Sequence, residues 1–333
     1  MSTSGHRFSR RDALLTSLSA VIGLGPARGQ TSSLPIIGYL GPESPSRYAS
    51  RLRAFHDGLA EVGLVNGQSV HVEYRWAEGD YDRLPALARD LAAGDAAVIV
   101  ATGGAQAALA AKSAAEGRSV VFEMGGDPVR LGLVESLSSP GANITGVSSL
   151  SVEVSRKRLE FMREVFPRSA QLAVAFNPSS PTAKSQLDSL AAAASDLNVA
   201  LAVQDIRSEP ELEQLFASTA ASAGRGLVFT SDPYFAFRSD LLAQLAMRFR
   251  VAAITQSRDF PMAGGLMSYG GDFMQSHRHA GVYAGRILRG ERPSELPIYQ
   301  VTKVEMVINL RTARLLGLEL PGPLVSRADE VVE

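Results

Sequence analysis

The 333-residue chain has no cysteine. This excludes disulfides, thiolate metal sites and a cysteine nucleophile, and it excludes the lipidated cysteine that tethers many exported proteins. Neither sign of charge is in excess, with 33 lysines and arginines against 34 aspartates and glutamates. A chain so balanced has no electrostatic reason to hold nucleic acid. Beyond the N-terminal segment no apolar run reaches the roughly 18 residues that a membrane span needs. Catalytic signatures are missing as well. There is no Gly-x-Ser-x-Gly elbow and no Walker loop, and Thr102-Gly103-Gly104 lacks the third glycine of a dinucleotide fingerprint. His277 and His279 stand two apart, about 200° around a helix, so they cannot share a metal and read as solvated surface. His56 and His71 stand alone. No cofactor, no metal and no catalytic residue are expected: the chain reads as a receptor rather than an enzyme.

What is present begins with an export pattern. Arg7, Arg10 and Arg11 make a basic start, Ala13–Leu24 form an apolar stretch, and Ala27-Arg28-Gly29 place small residues where a signal peptidase inspects them. Cleavage is expected before Gln30, with residues 1–29 as the signal peptide. Ser9-Arg10-Arg11-Asp12-Ala13-Leu14-Leu15 resembles the twin-arginine motif. Ala13 stands where a bulky apolar residue is usual, so the general secretory route stays open. Loss of this segment removes four arginines and one aspartate and leaves a mildly acidic chain. Without a lipid anchor, that chain is expected to be soluble in a periplasm.

The remainder suits two domains of about 150 residues each. Short apolar runs recur at Ile36–Leu40, Ala97–Ala101, Val120–Phe122, Leu172–Phe176, Leu227–Phe229 and Ala252–Ile254. They are too short for buried helices and alternate little, the pattern of parallel strands covered on both faces. Amphipathic helices lie between them. Leu52, Phe55, Leu59 and Val62 step at helical spacing before Gly63, and Leu187, Leu190, Ala194 and Leu197 repeat the pattern. Ser208-Glu209-Pro210-Glu211 reads as a capping box that opens a further helix. A helix is also expected around Ser155–Val165. The strand–helix alternation runs from Ile36 to about Ser148 and restarts at Leu172. Two doubly wound α/β sheets with a cleft between them are the economical arrangement.

The segments after the strands are rich in Gly, Pro, Ser, Asn and Asp. They include Gly41–Ser46, Thr102–Gly104, Gly125–Pro128, Asn177–Pro181, Ser231–Tyr234 and Gln256–Asp259. Singly, each is what a turn or helix cap needs. Jointly, they gather at the carboxyl ends of the strands, where open α/β sheets bind ligands against helix N-termini.

Several blocks point further. Glu73-Tyr74-Arg75-Trp76-Ala77-Glu78-Gly79 is followed by Arg83-Leu84-Pro85. Gly126-Asp127-Pro128-Val129, Pro140-Gly141-x-Asn143-x-Thr145-Gly146, Asn177-Pro178, Ala263–Gly270 and Ile308-Asn309-Leu310 come after it. In this order, across essentially the whole exported chain, they resemble the substrate-binding proteins of ABC transporters in the tryptophan/tyrosine-uptake-like group. The resemblance implies the type I periplasmic binding protein fold, two doubly wound parallel-sheet lobes joined by three crossovers near Thr145–Ser149, Gly265–Tyr269 and Tyr299–Lys303. One lobe would be 34–147 plus 270–300 and the other 150–266 plus 303–333. It also implies a monomer that closes on a small-molecule ligand and delivers it to an ABC permease and ATPase at the inner membrane. The alternative is a sensor protein that presents its ligand to a membrane receptor kinase.

Relatives of this kind bind amino acids, aromatic ones among them. A zwitterion needs acceptors for its ammonium and donors for its carboxylate. Asp232, with Asp127 opposite, is the candidate for the ammonium. Thr102, with Gly103 in the same loop, Ser179 and Ser180 are candidates for the carboxylate, each backed by a helix N-terminus. Asn177 suits either end, and Ser44, Tyr234 and Tyr269 are candidates to shape a side-chain pocket. The competing role for each aspartate is to cap its own helix, and for Tyr269 it is core packing at a hinge.

Overall fold

Each of the six short apolar runs is a strand, and their central residues are buried on both faces. The computed structural model describes residues 1–2, 34–149, 151–222 and 224–333. The export segment, with its arginine pair and the cut before Gln30, lies outside the described residues. In chain order the strands are β1 (Ile36–Gly41), β2 (His71–Trp76), β3 (Ala96–Ala101), β4 (Ser119–Gly125), β5 (Ile144–Ser149), β6 (Gln171–Phe176), β7 (Ala200–Asp205), β8 (Gly226–Phe229), β9 (Ala252–Thr255), β10 (Met267–Gly271), β11 (Tyr299–Val301), β12 (Val304–Asn309) and β13 (Glu330–Val332). The principal helices are α1 (Ala49–Glu61), α2 (Leu84–Ala93), α3 (Ala105–Ala114), α4 (Ser155–Val165), α5 (Ala183–Asp196), α6 (Glu209–Ala221), α7 (Pro233–Ala236), α8 (Ser239–Phe249), α9 (Asp259–Met262) and α10 (Phe273–Leu288).

Two sheets result. The first has the order β11-β5-β4-β3-β1-β2 and is parallel throughout. The second has the order β13-β12-β10-β9-β8-β6-β7 and is parallel except where β10 meets β12. The chain passes from the first sheet to the second after β5, returns after β10, and passes again between β11 and β12. The middle passage falls past Gly271, beyond the Gly265–Tyr269 segment expected, because β10 stays paired with β12 as far as Gly271↔Val304.

Helix α10 returns to the first sheet and packs along α1. The contact is close enough that a Cβ on Gly58 would strike the Arg278 carbonyl. The helix over Glu209–Ala221 is present, but its start departs from a capping box. Ser208 makes no side-chain cap, and Glu211 accepts from the Arg207 N–H at 2.6 Å instead. The strands that the apolar runs do not mark include the edge strands β2 and β7, whose side chains are largely half-buried or exposed. An edge strand covered on one side only needs no continuous apolar run.

One buried cation ties the first passage to the strand that leads into the second. Arg158, on α4, is 0% exposed. Its guanidinium donates to the carbonyls of Ser151 (3.3 Å) and Tyr269 (2.8 Å) and to the hydroxyls of Ser155 and Ser231 (both 2.7 Å). Burial pushes its pKa down to about 9, which still leaves it charged at neutral pH. Arg158→Met would take the side-chain donor from the Tyr269 carbonyl and leave the Ser151 carbonyl with the Ser231 hydroxyl alone. It is expected to lower the unfolding free energy by about 2 kcal/mol or more, measured by urea denaturation.

Candidate functional site

The carboxyl ends of both sheets face one shared cavity. The first sheet supplies the loop after β3 (Gly103, Gly104) with the start of α3, the end of β4 (Glu123, Gly125), and the openings of α1 (Tyr48, Arg51) and α10 (Phe273, His277). The second supplies Ser180 and Thr182 before α5, Ser231 and Asp232 after β8, Phe237 after α7, and Gln256 after β9.

Contacts across the cleft divide the wall into two ends. At one, Gln106 Nε2 donates to the Ser179 carbonyl at 3.3 Å, and Gly104 lies against Pro233. Asp232 belongs to this end. Its Oδ1 accepts from Asn177 Nδ2 at 3.1 Å and from the Tyr234 N–H at 2.9 Å, and it is 1% exposed. Its Oδ2 is buried without a partner. Burial, the largest influence, raises the Asp232 pKa, and the Asn177 hydrogen bond opposes it.

The other end is aromatic. Tyr48 stacks on Phe237 at 4.9 Å and meets His277 edge-on at 5.7 Å. The Arg51 guanidinium lies 4.7 Å from the Phe237 ring centre and 5.1 Å from that of Phe273, and pairs with Asp259 at 3.5 Å. Such cation–ring contacts hold the guanidinium in place. Two more contacts shut the cleft: Arg47 donates to the Phe237 carbonyl, and Arg238 pairs with the buried Glu43 at 3.7 Å. The Tyr81 hydroxyl donates to Glu43 at 3.2 Å. Burial raises the Glu43 pKa, and Arg238 partly offsets this.

Of the residues proposed from sequence, Gly103, Ser180 and Asp232 line this cavity. Asn177 stands behind Asp232 as its hydrogen-bond donor, with its own Oδ1 accepting from the Ser179 N–H. Thr102 points into the core, where its hydroxyl donates to Tyr39 at 2.9 Å. Asp127 caps the turn after it, accepting from the N–H groups of Val129 and Arg130, and lies outside the cavity. Ser179 meets the cleft through its carbonyl alone, and Ser44 bonds Ser46 at the surface. Tyr234 is covered by Arg238, 3.8 Å from its ring centre. Tyr269 packs edge-on against Phe161 and gives its carbonyl to Arg158.

The reading of His277 as solvated surface is corrected: it is 1% exposed and forms part of the cavity wall. Sequence reasoning also missed Tyr48, Arg51, Glu123, Phe237 and Phe273. Asp272 was the available signal, since it caps α10 by accepting from the Gln275 N–H and so opens that helix on the cleft.

Two α/β lobes with the strand ends facing a shared, closed cleft define a substrate-binding protein of the type I periplasmic binding protein fold. Residues 42–332 match the family described as ABC transporter substrate binding protein, and the chain belongs to that family. It is a family of binding proteins, not of enzymes. A tyrosine-binding protein of Clostridioides difficile (strain R20291) is 24% identical over 270 residues, covering 80% of this chain and 76% of its own. An ABC domain from Streptococcus pneumonia in complex with L-Trp superposes with a TM-score of 0.81 at 22% identity, over 90% of this chain and 100% of that one. A substrate binding protein with adhesive properties from Clostridium difficile, in a ligand-free, open structure, gives 0.64 at 23% identity over 90% and 99%. Among the described residues, no helix is long and apolar enough to cross a membrane.

Closure depends on the absence of a side chain at one point. Gly104 has φ +124°, and a Cβ there would lie 2.8 Å from Pro233 Cγ on the opposite lobe. Gly104→Ala is expected to disfavour the closed form, through overlap with Pro233, by about 1–3 kcal/mol. The change would be read as a larger radius of gyration in small-angle X-ray scattering; an unchanged radius would refute it.

Proposed function

We propose that the protein is the periplasmic substrate-binding component of an ABC importer and captures a small amino-acid-like ligand with an aromatic side chain. Residues 34–147 and 270–300 form one lobe, 150–266 and 303–333 the other, and hinge closure buries the ligand between them. The division is supported by strand membership, since β11 joins the first sheet while β12 and β13 join the second; β10 keeps Gly270 and Gly271 with the second sheet and moves that one boundary past Gly271. A segment at 1–29 directs export, and the loaded monomer passes its ligand to a permease and an ATPase. The ligands named for the two relatives, tyrosine and L-Trp, agree with the aromatic end of the cavity.

The observation that carries this reading is the unpartnered Oδ2 of Asp232, buried in a cavity wall that also holds the start of α3. A buried carboxylate oxygen calls for a cation or donor. The free N–H groups at the start of α3 suit a carboxylate, with Ser180 and Thr182 beside them. An α-amino acid carries both charges on adjacent atoms, and its side chain would then extend toward Tyr48, Phe237 and Phe273.

A thermal-shift panel of the natural L-amino acids on the purified protein tests this. A true ligand at a hundred times its dissociation constant stabilises by about 2.7 kcal/mol. Asp232→Ala should abolish the shift, and no shift with any amino acid would overturn the reading.

The pH dependence has two opposite signs. Ligand binding needs the ionised carboxylate, so affinity should fall about tenfold per pH unit below the raised Asp232 pKa, and Asp232→Asn should remove that slope. Without ligand, burial favours the protonated acid. Its contribution to stability is then greatest below the ordinary carboxylate value and is lost as pH rises through the raised one. Calorimetric titration from pH 4 to 8 reads both.

A further inference from the structure

The aromatic end of the cavity carries polar atoms that the packing leaves unused. The Tyr48 hydroxyl and His277 Nε2 are both buried without a partner. His277 Nε2 lies 3.8 Å from Glu123 Oε2, and that oxygen accepts from the Gly103 N–H at 3.0 Å. The Tyr48 hydroxyl abuts the same glycine, so closely that a Cβ on Gly103 would collide with it. The three groups therefore converge on one spot of the first lobe, across the cavity from Asp232.

The proton positions at His277 follow from its partner. Nδ1 lies 2.9 Å from the Phe273 carbonyl, which can only accept, so Nδ1 carries the hydrogen. Burial lowers the pKa of the ring, and although Glu123 opposes this, the ring is neutral near pH 7. Nε2 is then a bare acceptor facing a carboxylate oxygen, also an acceptor. Two buried acceptors at that separation are complementary to a hydrogen-bond donor placed between them. Arg51 does not fill this role from within the protein, because its guanidinium is held over Phe237 and Phe273 and pairs with Asp259.

We propose that Glu123, His277 and Tyr48 read a hydrogen-bond donor at the far end of the ligand's side chain, so that the cavity selects tyrosine- or tryptophan-like ligands over phenylalanine-like or aliphatic ones. The proposal rests on the binding reading above, with the ligand's ammonium at Asp232. A phenyl ring in the same place would satisfy the stacking and leave the buried acceptors unpaired. A site built to bond an O–H or N–H rejects the analogue that lacks it far more strongly than a purely apolar pocket discriminates by size.

The test compares ligands that differ in the donor alone, by isothermal titration calorimetry on the purified protein. The pairs are L-tyrosine with L-phenylalanine, and L-tryptophan with β-(3-benzothienyl)-L-alanine, in which sulfur replaces the indole N–H. In the wild type, at least one donor-bearing member should bind about tenfold or more tighter than its partner. His277→Leu should reduce that ratio to about threefold or less. Should that variant fail to fold by circular dichroism, Glu123→Gln should reduce the same ratio. Equal affinities within both pairs in the wild type would overturn the proposal while leaving amino-acid binding intact. A ratio that survives both substitutions would overturn the assignment of these residues. No binding of any of the four would instead remove the reading on which the proposal stands.

Discussion

The geometry of the cleft depends on the placement of one charge where water cannot reach it. Among the described residues Arg158 has no carboxylate partner; four oxygens of the protein solvate it instead, two carbonyls and two hydroxyls. These oxygens belong to the first crossover, to the last strand before the second crossover, to α4 itself and to the loop that carries Asp232. A buried guanidinium offsets its lost hydration only if such acceptors stay in register. The crossovers and the Asp232 loop are thereby fixed to one another through a planar, rigid group. Gln186 reinforces the same loop, accepting from the Ser231 N–H and donating to its carbonyl. The Asp232 carboxylate is thus anchored to the segments that link the two lobes.

Against that anchored end, the first lobe brings a different kind of wall. Its polar groups sit at the openings of α1 and α10, and its stacking surface is completed by Phe237 from the other lobe. No single lobe contains the whole recognition surface. Binding energy for both ends of a ligand is therefore available only in the closed arrangement, the condition under which a ligand shifts a hinge equilibrium.

Much of this was legible in the sequence, for a physical reason. Parallel strands covered on both faces must be apolar throughout, so Ile36–Leu40 or Leu172–Phe176 announce themselves, and the loops that follow them must carry turn and cap chemistry. Gly103, Ser180 and Asp232 reached the cavity because they lie in those loops. The same logic misplaced Thr102, whose side chain follows the strand inward to Tyr39, and Asp127, whose carboxylate is consumed by its own turn. Tyr48, Arg51 and His277 were not legible, since near the start of a helix they carry the same residue types as a packed core or a solvated face. Only the packing of α10 on α1 turns them toward the cleft. Pattern along the chain reports which elements form; which end of a helix opens on the other lobe is decided by contacts between residues more than two hundred positions apart.

The ion pair between Glu43 and Arg238 bears on timing. This pair, the Arg47 contact to Phe237 and the Gln106 contact to Ser179 all join the two lobes beside the cavity. In the proposed binding cycle entry waits for the lobes to part, so the observed association rate would rise with concentration only until it meets the opening rate. Departure waits on the same step. Residence time would then be set by the separation of Glu43 from Arg238 together with the ligand's own contacts to the two lobes, so a ligand that bridges them more tightly leaves more slowly.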